Sequence, residues 1–438
     1  MKTMETETDI IIVGAGIAGL SAACELCRAG KKVMLLEGRD RTGGRINTLN
    51  DPRFQHPVEL GAEFIHGRLP ETFRALRRHN IQRSPVKPVI WHMENGELKR
   101  AGDMIKETSP LEKALKSVQD DMTVNEFLEA YFPGNEHEEL KRSVRQFVQG
   151  YDAADPDRAS VLSFRDEWMN QEWKQYRVKE GYKKLADALA GECVSNGCTI
   201  HLNTKVTAVH WGQSYVKIMT GNDRSFIAKK VLITVPLSIL QAKPGSPHAI
   251  AFEPGIPEKL EAASAIGFGT VVKIVMQFRE PFWQTEKFGH AGGKTLKGAG
   301  FIFSNERFPT WWTQWPDIGM LTGWAGGPPA EELEKSGEKE LLQTALDSLA
   351  SIFRRENAWL KQRLTAWKTY RWGNDPFSLG AYTYTTVDAD RHISVLSEPL
   401  NNTVYFAGEA INDSSAVGTV EAAIASGLRA AEAMLKKR

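Results

Sequence analysis

Cysteine is scarce. Four of 438 residues are too few for a disulfide scaffold. Neither charge is in excess: 55 Lys and Arg stand against 54 Asp and Glu, for a net charge of +1. That balance gives no overall electrostatic footprint for nucleic acid or an anionic membrane. Long apolar runs are lacking as well. Val231–Leu240 is among the longest, and Thr234, Pro236 and Ser238 interrupt it, so it is too short to span a bilayer. No Cys/His zinc spacing and no H-E-x-x-H segment occurs, so no metal is expected. The 42% apolar and 25% charged residues are ordinary for a globular chain and rule out wholesale disorder. At roughly 150 residues per domain, the length suggests about two or three domains, or one large discontinuous one. There is no internal repeat and no low-complexity segment. Composition does not fix an oligomeric state.

Cys24 and Cys27 fall in a helix-like stretch and read as core packing rather than a redox pair. Cys193 and Cys198 flank the turn Ser195-Asn196-Gly197. They could pair, but reduced thiols are the expectation. The polar, acidic stretch Met1–Asp9 does not read as a secretory leader. Lys436-Lys437-Arg438 carries no lipidation box or peroxisomal tripeptide. A cytoplasmic location is expected.

The clearest signal lies in the first fifty residues. Asp9–Val13 is a short apolar run of the kind found in buried parallel strands. Gly14-Ala15-Gly16-Ile17-Ala18-Gly19 follows at once. Leu20, Ala23, Cys24 and Cys27 then recur at helical spacing, Gly30 is a plausible stop, and Lys32–Leu36 reads as a second strand ending at Glu37. Gly14, Gly16 and Gly19 fit G-x-G-x-x-G: a tight turn, close approach of backbone to a pyrophosphate, and close helix–strand packing. Glu37 stands at the strand end, where a carboxylate can accept from ribose hydroxyls and disfavours a 2′-phosphate. Gly38, Arg39, Gly43, Gly44 and Arg45 follow. These glycines permit further backbone approach, and the arginines can clamp phosphate oxygens.

Farther on, Leu111–Val118 and Thr123–Tyr131 read as amphipathic helices broken at Pro133-Gly134. Ile200–Val209 alternates like one strand, Val231–Val235 is an apolar strand, and residues 242–257 hold Pro244, Pro247, Pro254 and Pro257, a loop-rich junction. Thr270–Phe278 alternates, Val404–Ala407 is a strand and Gly418–Lys436 an Ala-rich helix. Eight of the twelve tryptophans fall between Trp283 and Trp372. They read either as the core of a second domain or as walls of an aromatic pocket. Lys273 shares an apolar strand face with Val271 and Val275, so it must pair, snorkel or serve a function.

Gly14–Leu20, Glu37 to Arg45, Leu60-Gly61-Ala62-Glu63-Phe64 and Tyr405-Phe406-Ala407-Gly408-Glu409 together resemble the flavin-containing amine oxidase family. That family includes monoamine and polyamine oxidases, lysine-specific histone demethylases and L-amino-acid oxidases. The resemblance runs from residue 9 to residue 430 in the family's order. It implies an α/β fold with a discontinuous Rossmann-like FAD-binding domain (1–80, 190–242 and 380–438) and an inserted α+β substrate-binding domain (81–189 and 243–379). By position, Val206 is similar to the residue whose backbone contacts adenine, and Glu409 to the acidic residue near the ribityl–phosphate region. Thr419 and Val420 open a helix whose positive end would face the flavin pyrimidine. Lys273 is similar to the family lysine that holds a water at flavin N5. Trp372 to Tyr382 is similar to the family's Trp-x-x-Asp-Pro…Gly-x-Tyr segment. Where some relatives carry a flavin-bonded cysteine this chain has Ala381, which implies non-covalent FAD. Tyr382 matches one wall of an aromatic cage, and Thr419 stands where the second wall is a tyrosine in monoamine oxidases. His66, in Phe64-Ile65-His66-Gly67, resembles a histidine that faces the substrate amine; a satisfied core histidine is the alternative. Glu63, Glu167 and Glu172 are candidates for a distal ammonium.

The resemblance implies an oxidase of primary or secondary amines, polyamines included. A hydride passes from the amine α-carbon to flavin N5, the imine hydrolyses and O2 becomes H2O2. The implied partners are a small-molecule amine and oxygen. The alternatives are an L-amino-acid oxidase, a dehydrogenase, desaturase or isomerase on the same fold, and a non-catalytic flavoprotein.

Overall fold

The computed structural model describes residues 8–67, 69–86, 89–105, 108–170, 174–315, 318–411 and 416–436. The leader and tail readings at residues 1–7 and 437–438, and Glu172, lie outside them. Thr8–Val13 lies parallel between Val33–Leu36 and Ser225–Ile233, and Val33–Leu36 carries Thr199–His201 on its other side. Val404–Phe406 pairs parallel with Ser225–Ile233. Tyr215–Thr220, Val206–Gly212 and Ala251–Glu253 complete this sheet of eight strands. The short apolar run becomes a strand because both sheet faces are covered, and Ile11 and Ile12 are fully buried.

Ile17–Arg28 forms the expected first helix and packs against the C-terminal helix Val420–Leu435. The crossing is tight at Gly427, where a Cβ would lie 2.3 Å from Ala18 O. Glu421 ties a third helix, Pro70–Arg78, to the same end. Its carboxylate accepts from Glu71 N (2.9 Å), Thr72 N (2.7 Å) and Thr72 Oγ1 (2.7 Å), which satisfies N–H groups that a helix start leaves open.

The second large sheet runs Leu364–Arg371, Val271–Phe278, Met320–Gly326, Thr310–Thr313, Ala299–Phe303, Val89–Glu94 and Glu97–Ala101. Its pairs are antiparallel except Ala299–Phe303 with Val89–Glu94. A small antiparallel sheet of Phe64–His66, Gln175–Val178 and Arg83–Val86 sets His66 opposite Gln175 and Phe64 opposite Arg177. Helices Thr108–Ser117, Val124–Tyr131, Glu138–Tyr151 and Val161–Asn170 bring Leu115, Phe127, Val144 and Phe164 into a common apolar core.

Two expectations change. Ile200–Val209 is not one strand. The chain leaves the sheet after His201, Asn203 takes φ +50°, and Asn203 N and Thr204 N donate to Arg39 O (2.8 Å) and Glu37 O (2.7 Å) before the next strand starts at Val206. Those bonds outcompete strand continuation. Val271–Phe278 is buried on both faces rather than on one. Both tryptophan readings hold in part: Trp283 and Trp311 are fully buried core, whereas Trp312, Trp324 and Trp372 line a cavity.

The four thiols are free, buried and cross-paired between segments. Cys24 Sγ lies 3.0 Å from Cys193 Sγ, and Cys27 faces Cys198. Thiol titration of the native protein is therefore expected to find none of the four, and titration after denaturation to find them all. Rapid native labelling would contradict this packing.

Candidate active site

A cavity of about 1230 Å³ begins where the first strand ends. Gly14 N donates to Leu36 O at 2.8 Å. Gly14 then turns with φ +107°, and a Cβ there would lie 2.7 Å from Thr234 Oγ1. At Gly19 a Cβ would lie 2.1 Å from Gly14 O, so this glycine lets the helix pack on the turn. Gly16 differs: its φ is −71° and no atom lies within 4 Å of its Cβ position. That open space adjoins the first N–H groups of a helix with no acidic residue in its first turn, an arrangement that accepts a phosphate. Except for Gly19, every residue expected at the cofactor lines the cavity, Gly14, Ile17, Ala18, Val206, Gly408 and Val420 among them.

Glu37 is buried. Its carboxylate accepts from Ala15 N (2.8 Å) and Arg39 N (2.9 Å), which fixes it at the strand end. Arg39 was expected to clamp phosphate. In the structure it forks onto Asp375 with two 2.7 Å bonds and also reaches Ser378 at 2.9 Å. Burial pushes the Asp375 carboxyl up, and Arg39 and Tyr370 outweigh this and hold it below the usual range. Arg45 Nη1 donates to Ala381 O (2.8 Å) and Glu409 Oε1 (2.6 Å). The other oxygen, Glu409 Oε2, is buried without a partner. An orphaned acceptor of this kind, together with the open helix start at Gly16, fits a dinucleotide carrying ribose or ribityl hydroxyls. Trp372 lends its indole N–H to Leu60 O at 2.9 Å and presents its ring to the cavity. Thr419 caps the C-terminal helix, accepting from Ala422 N at 3.2 Å.

The far part of the cavity gathers the other predicted residues: Lys273, Tyr382, His66 and Thr419 all line it. Lys273 does not snorkel. It has no exposed surface, and its ammonium donates to Glu63 Oε2 at 2.7 Å. Glu63 Oε1 meets Trp312 Nε1 at 2.9 Å and Arg177 Nη2 at 3.0 Å. Glu63 is thereby committed to neighbours and is not available to a distal ammonium. The Tyr382 hydroxyl donates to Tyr151 O at 2.8 Å. Burial, and then the charges of Asp152, Tyr151 and Glu167, push its pKa well up, so it stays neutral.

His66 stands edge-on to the Tyr151 ring at 5.0 Å, and its Nδ1 is buried without a partner. Burial pushes its pKa down to about 4, so at neutral pH the ring is an uncharged acceptor. Asp152 and Glu167 hydrogen-bond each other on the cavity wall. Burial raises Glu167 to about 7 even though Asp152 donates to it. Burial and the neighbouring Glu167 charge push Asp152 well above its ordinary range. Among the described residues, neither carboxylate has a lysine or arginine partner.

The sequence reading missed Tyr151, Asp152, Arg177 and Trp312. Nothing local marks them: Tyr151, Asp152 and Trp312 reach the cavity from segments that carry no motif, and Arg177 stands behind Glu63 without lining it. Gln175 was likewise unmarked, and its Oε1 is buried without a partner.

The glycine geometry separates folding from cofactor binding. Gly16→Val is expected to leave thermal unfolding of the apoprotein within about 2 °C of wild type, because its side chain would occupy empty space. The same variant should lose FAD affinity by about 100-fold or more. Gly19→Ala, which meets backbone, should destabilise by about 1–3 kcal/mol. Melting curves and FAD titration check both. His66 sets a pH dependence: its folded pKa lies below that of the unfolded chain, so the unfolded state binds more protons between about 4 and 6.5. The stability that its neutral form supports is present above 6.5 and is lost as pH falls toward 4. A His66→Gln variant should show a flatter loss of Tm across that window.

Known proteins share this architecture. The family model described as flavin containing amine oxidoreductase matches residues 17–132 and 92–435. "Polyamine oxidase 3" of Oryza sativa subsp. japonica is 28% identical over 96% of this chain and 88% of its own length. "Lysine-specific histone demethylase 1 homolog 2" of the same plant is 28% identical over 97% of this chain, but over only 57% of its own length. The structure of cyclohexylamine oxidase from Brevibacterium oxydans IH-35A superimposes with a TM-score of 0.79 at 21% identity, over 98% of this chain and 99% of that one. Wild-type putrescine oxidase bound to putrescine gives 0.76 at 19% identity, over 98% of both chains. With a glycine cradle at one end of its cavity, an aromatic and charged chamber at the other, and a family match along nearly its whole length, the chain belongs to the flavin-containing amine oxidoreductases.

Proposed function

We propose that the protein is an FAD-dependent oxidase of primary or secondary amines that holds its FAD without a covalent bond. One observation carries this reading: a single cavity runs from the open helix start at Gly16 to a chamber lined by Lys273, Tyr382 and His66. When bound, FAD would accept a hydride from the carbon beside the amine nitrogen and pass the electron pair to oxygen, which leaves as hydrogen peroxide.

The chain's own groups prepare the amine. The Tyr382 ring and the edge-on His66–Tyr151 pair make a poorly solvated chamber, which disfavours the ammonium form. The unpartnered Nδ1 of His66 accepts a hydrogen bond from the neutral amine and orients it. With a pKa near 4, this ring positions the nitrogen but does not store its proton at neutral pH. Ala381 offers no thiol to the flavin, which supports non-covalent binding. The start of the helix at Thr419 brings positive dipole potential to the same chamber. The buried free thiols suit a reducing compartment and support a cytoplasmic location.

Asp152 and Glu167 favour amines with a second cationic centre, that is, diamines or polyamines. A carboxylate pair with no resident cation gains a partner when such a substrate enters. An L-amino-acid oxidase would need a free arginine for the carboxylate. Of the arginines that line the cavity, Arg39, Arg45 and Arg165 already face Asp375, Glu409 and Asp166, and Arg391 is exposed.

The deciding experiment mixes the flavin-loaded protein anaerobically with a diamine, a monoamine and an amino acid of matched chain length. Diamine is expected to bleach the flavin fastest, and air should then restore the colour with release of peroxide. No bleaching by any amine would reject the oxidase, and slow return of colour in air would favour a dehydrogenase. Glu167→Gln should raise KM for the diamine by about 10- to 100-fold, the value of a charge-assisted hydrogen bond, and leave KM for the monoamine nearly unchanged. As pH rises through about 7, where Glu167 gives up its proton, the diamine's advantage over the monoamine should grow in the wild type and not in the variant.

A further inference from the structure

Glu63 immediately precedes the strand Phe64–His66, and its side chain is 3% exposed. Both carboxylate oxygens are used. One accepts from Lys273 Nζ at 2.7 Å, and the other from Trp312 Nε1 at 2.9 Å with Arg177 Nη2 at 3.0 Å. Arg177 is anchored from behind. It donates to Thr313 O at 3.1 Å and to Gln314 O, and its guanidinium lies 4.5 Å from the Phe64 ring centroid. Burial pushes the Glu63 carboxyl up, and Lys273, Arg177 and Trp312 overcome this and hold it below the usual carboxylate range. The anion therefore persists inside the protein.

Lysine has a long stem with many rotamers, and its ammonium has three donors. Among the described residues, Glu63 is the one hydrogen-bond acceptor of Lys273 Nζ. The Trp312 ring centroid, 5.3 Å from Nζ, closes a further side. An uncharged residue at position 63 would leave two buried cations facing each other with nothing between them. Their repulsion would drive the mobile one, Lys273, out of place. Arg177 cannot yield in the same way, because backbone carbonyls hold its fork.

We propose that Glu63 is a positioning residue that fixes the Lys273 ammonium at the cavity wall, with Arg177 holding Glu63 to that task. One N–H of Lys273 is spent on Glu63, which leaves two for the cavity that Lys273 lines. The proposal rests on the amine oxidase reading of the site and adds to it which group sets the lysine.

The test is a double-mutant cycle on Glu63→Gln and Lys273→Met. The flavin-loaded proteins are photoreduced without amine, and reoxidation by oxygen is followed optically. Glu63→Gln should slow reoxidation about tenfold on its own, the order of coupling expected inside one ion-pair network. In the Lys273→Met background it should add nothing beyond about twofold. Thermal unfolding of the four apoproteins should show the same coupling, with the double variant destabilised by less than the sum of the single changes.

Equal slowing by Glu63→Gln with and without Lys273 would overturn the proposal, as would wild-type reoxidation of the single variant. Should Glu63→Gln fail to retain flavin, Glu63→Asp decides. It keeps the charge but withdraws it by one methylene. Reoxidation slowed about threefold or more at full flavin content supports the proposal, and wild-type reoxidation rejects it. Photoreduction needs no substrate, so failure of the cycle is distinct from failure of every amine to bleach the flavin, which would reject the oxidase instead.

Discussion

Parallel pairing of Ser225–Ile233 with Thr8–Val13 on one side and Val404–Phe406 on the other is the constraint on which the site depends. Three segments hundreds of residues apart end at the same edge of one sheet. The Gly14 turn, Thr234 and Gly408 are therefore neighbours around one opening. Ligands of open α/β sheets bind outside the carboxyl ends of parallel strands, and here that edge becomes the floor of the cavity. The sheet can bring the segments together because its central strands are apolar on both faces, with helices covering them.

Charge pairs then join the floor to the walls. Arg39 and Asp375 are 336 residues apart, Arg45 and Glu409 are 364 apart, and Glu63 and Lys273 are 210 apart. Each links the first sixty-odd residues to a later part of the chain. A buried ion pair of this kind adds little net stability, but removing one partner strands the other charge. These pairs accordingly act more on the placement of groups than on the free energy of folding. The same rule gives the acid pair Asp152–Glu167 its interest. It lies on the cavity wall, the described residues supply it with no cation, and its members share a proton near neutrality.

Much of the cradle was legible in advance because its signal is local. Gly14, Gly16 and Gly19 act through backbone conformation and close approach within a few residues, and spacing along the chain records both. Strand and helix ends near Val13, Arg28 and Leu36 were readable for the same reason. The break between His201 and Val206 was not. It depends on hydrogen bonds to Glu37 O and Arg39 O, partners about 165 residues away in sequence. Arg39 shows what residue type alone leaves out: a guanidinium beside a glycine loop suggests phosphate, and the fold also brings Asp375 to it.

Residue order by itself determined the opening strand–turn–helix–strand unit, the acidic strand end at Glu37 and the oddity of a lysine inside Val271–Val275. All of these follow from periodicity, backbone freedom and the cost of burying charge. Only the tertiary structure decided that Lys273 answers to Glu63, that Arg177 and Trp312 complete its setting, and that Tyr151, Asp152 and Glu167 share a chamber with Tyr382. Those contacts join segments without a common period or motif, and they exist only once two sheets and a helical layer close on one cavity.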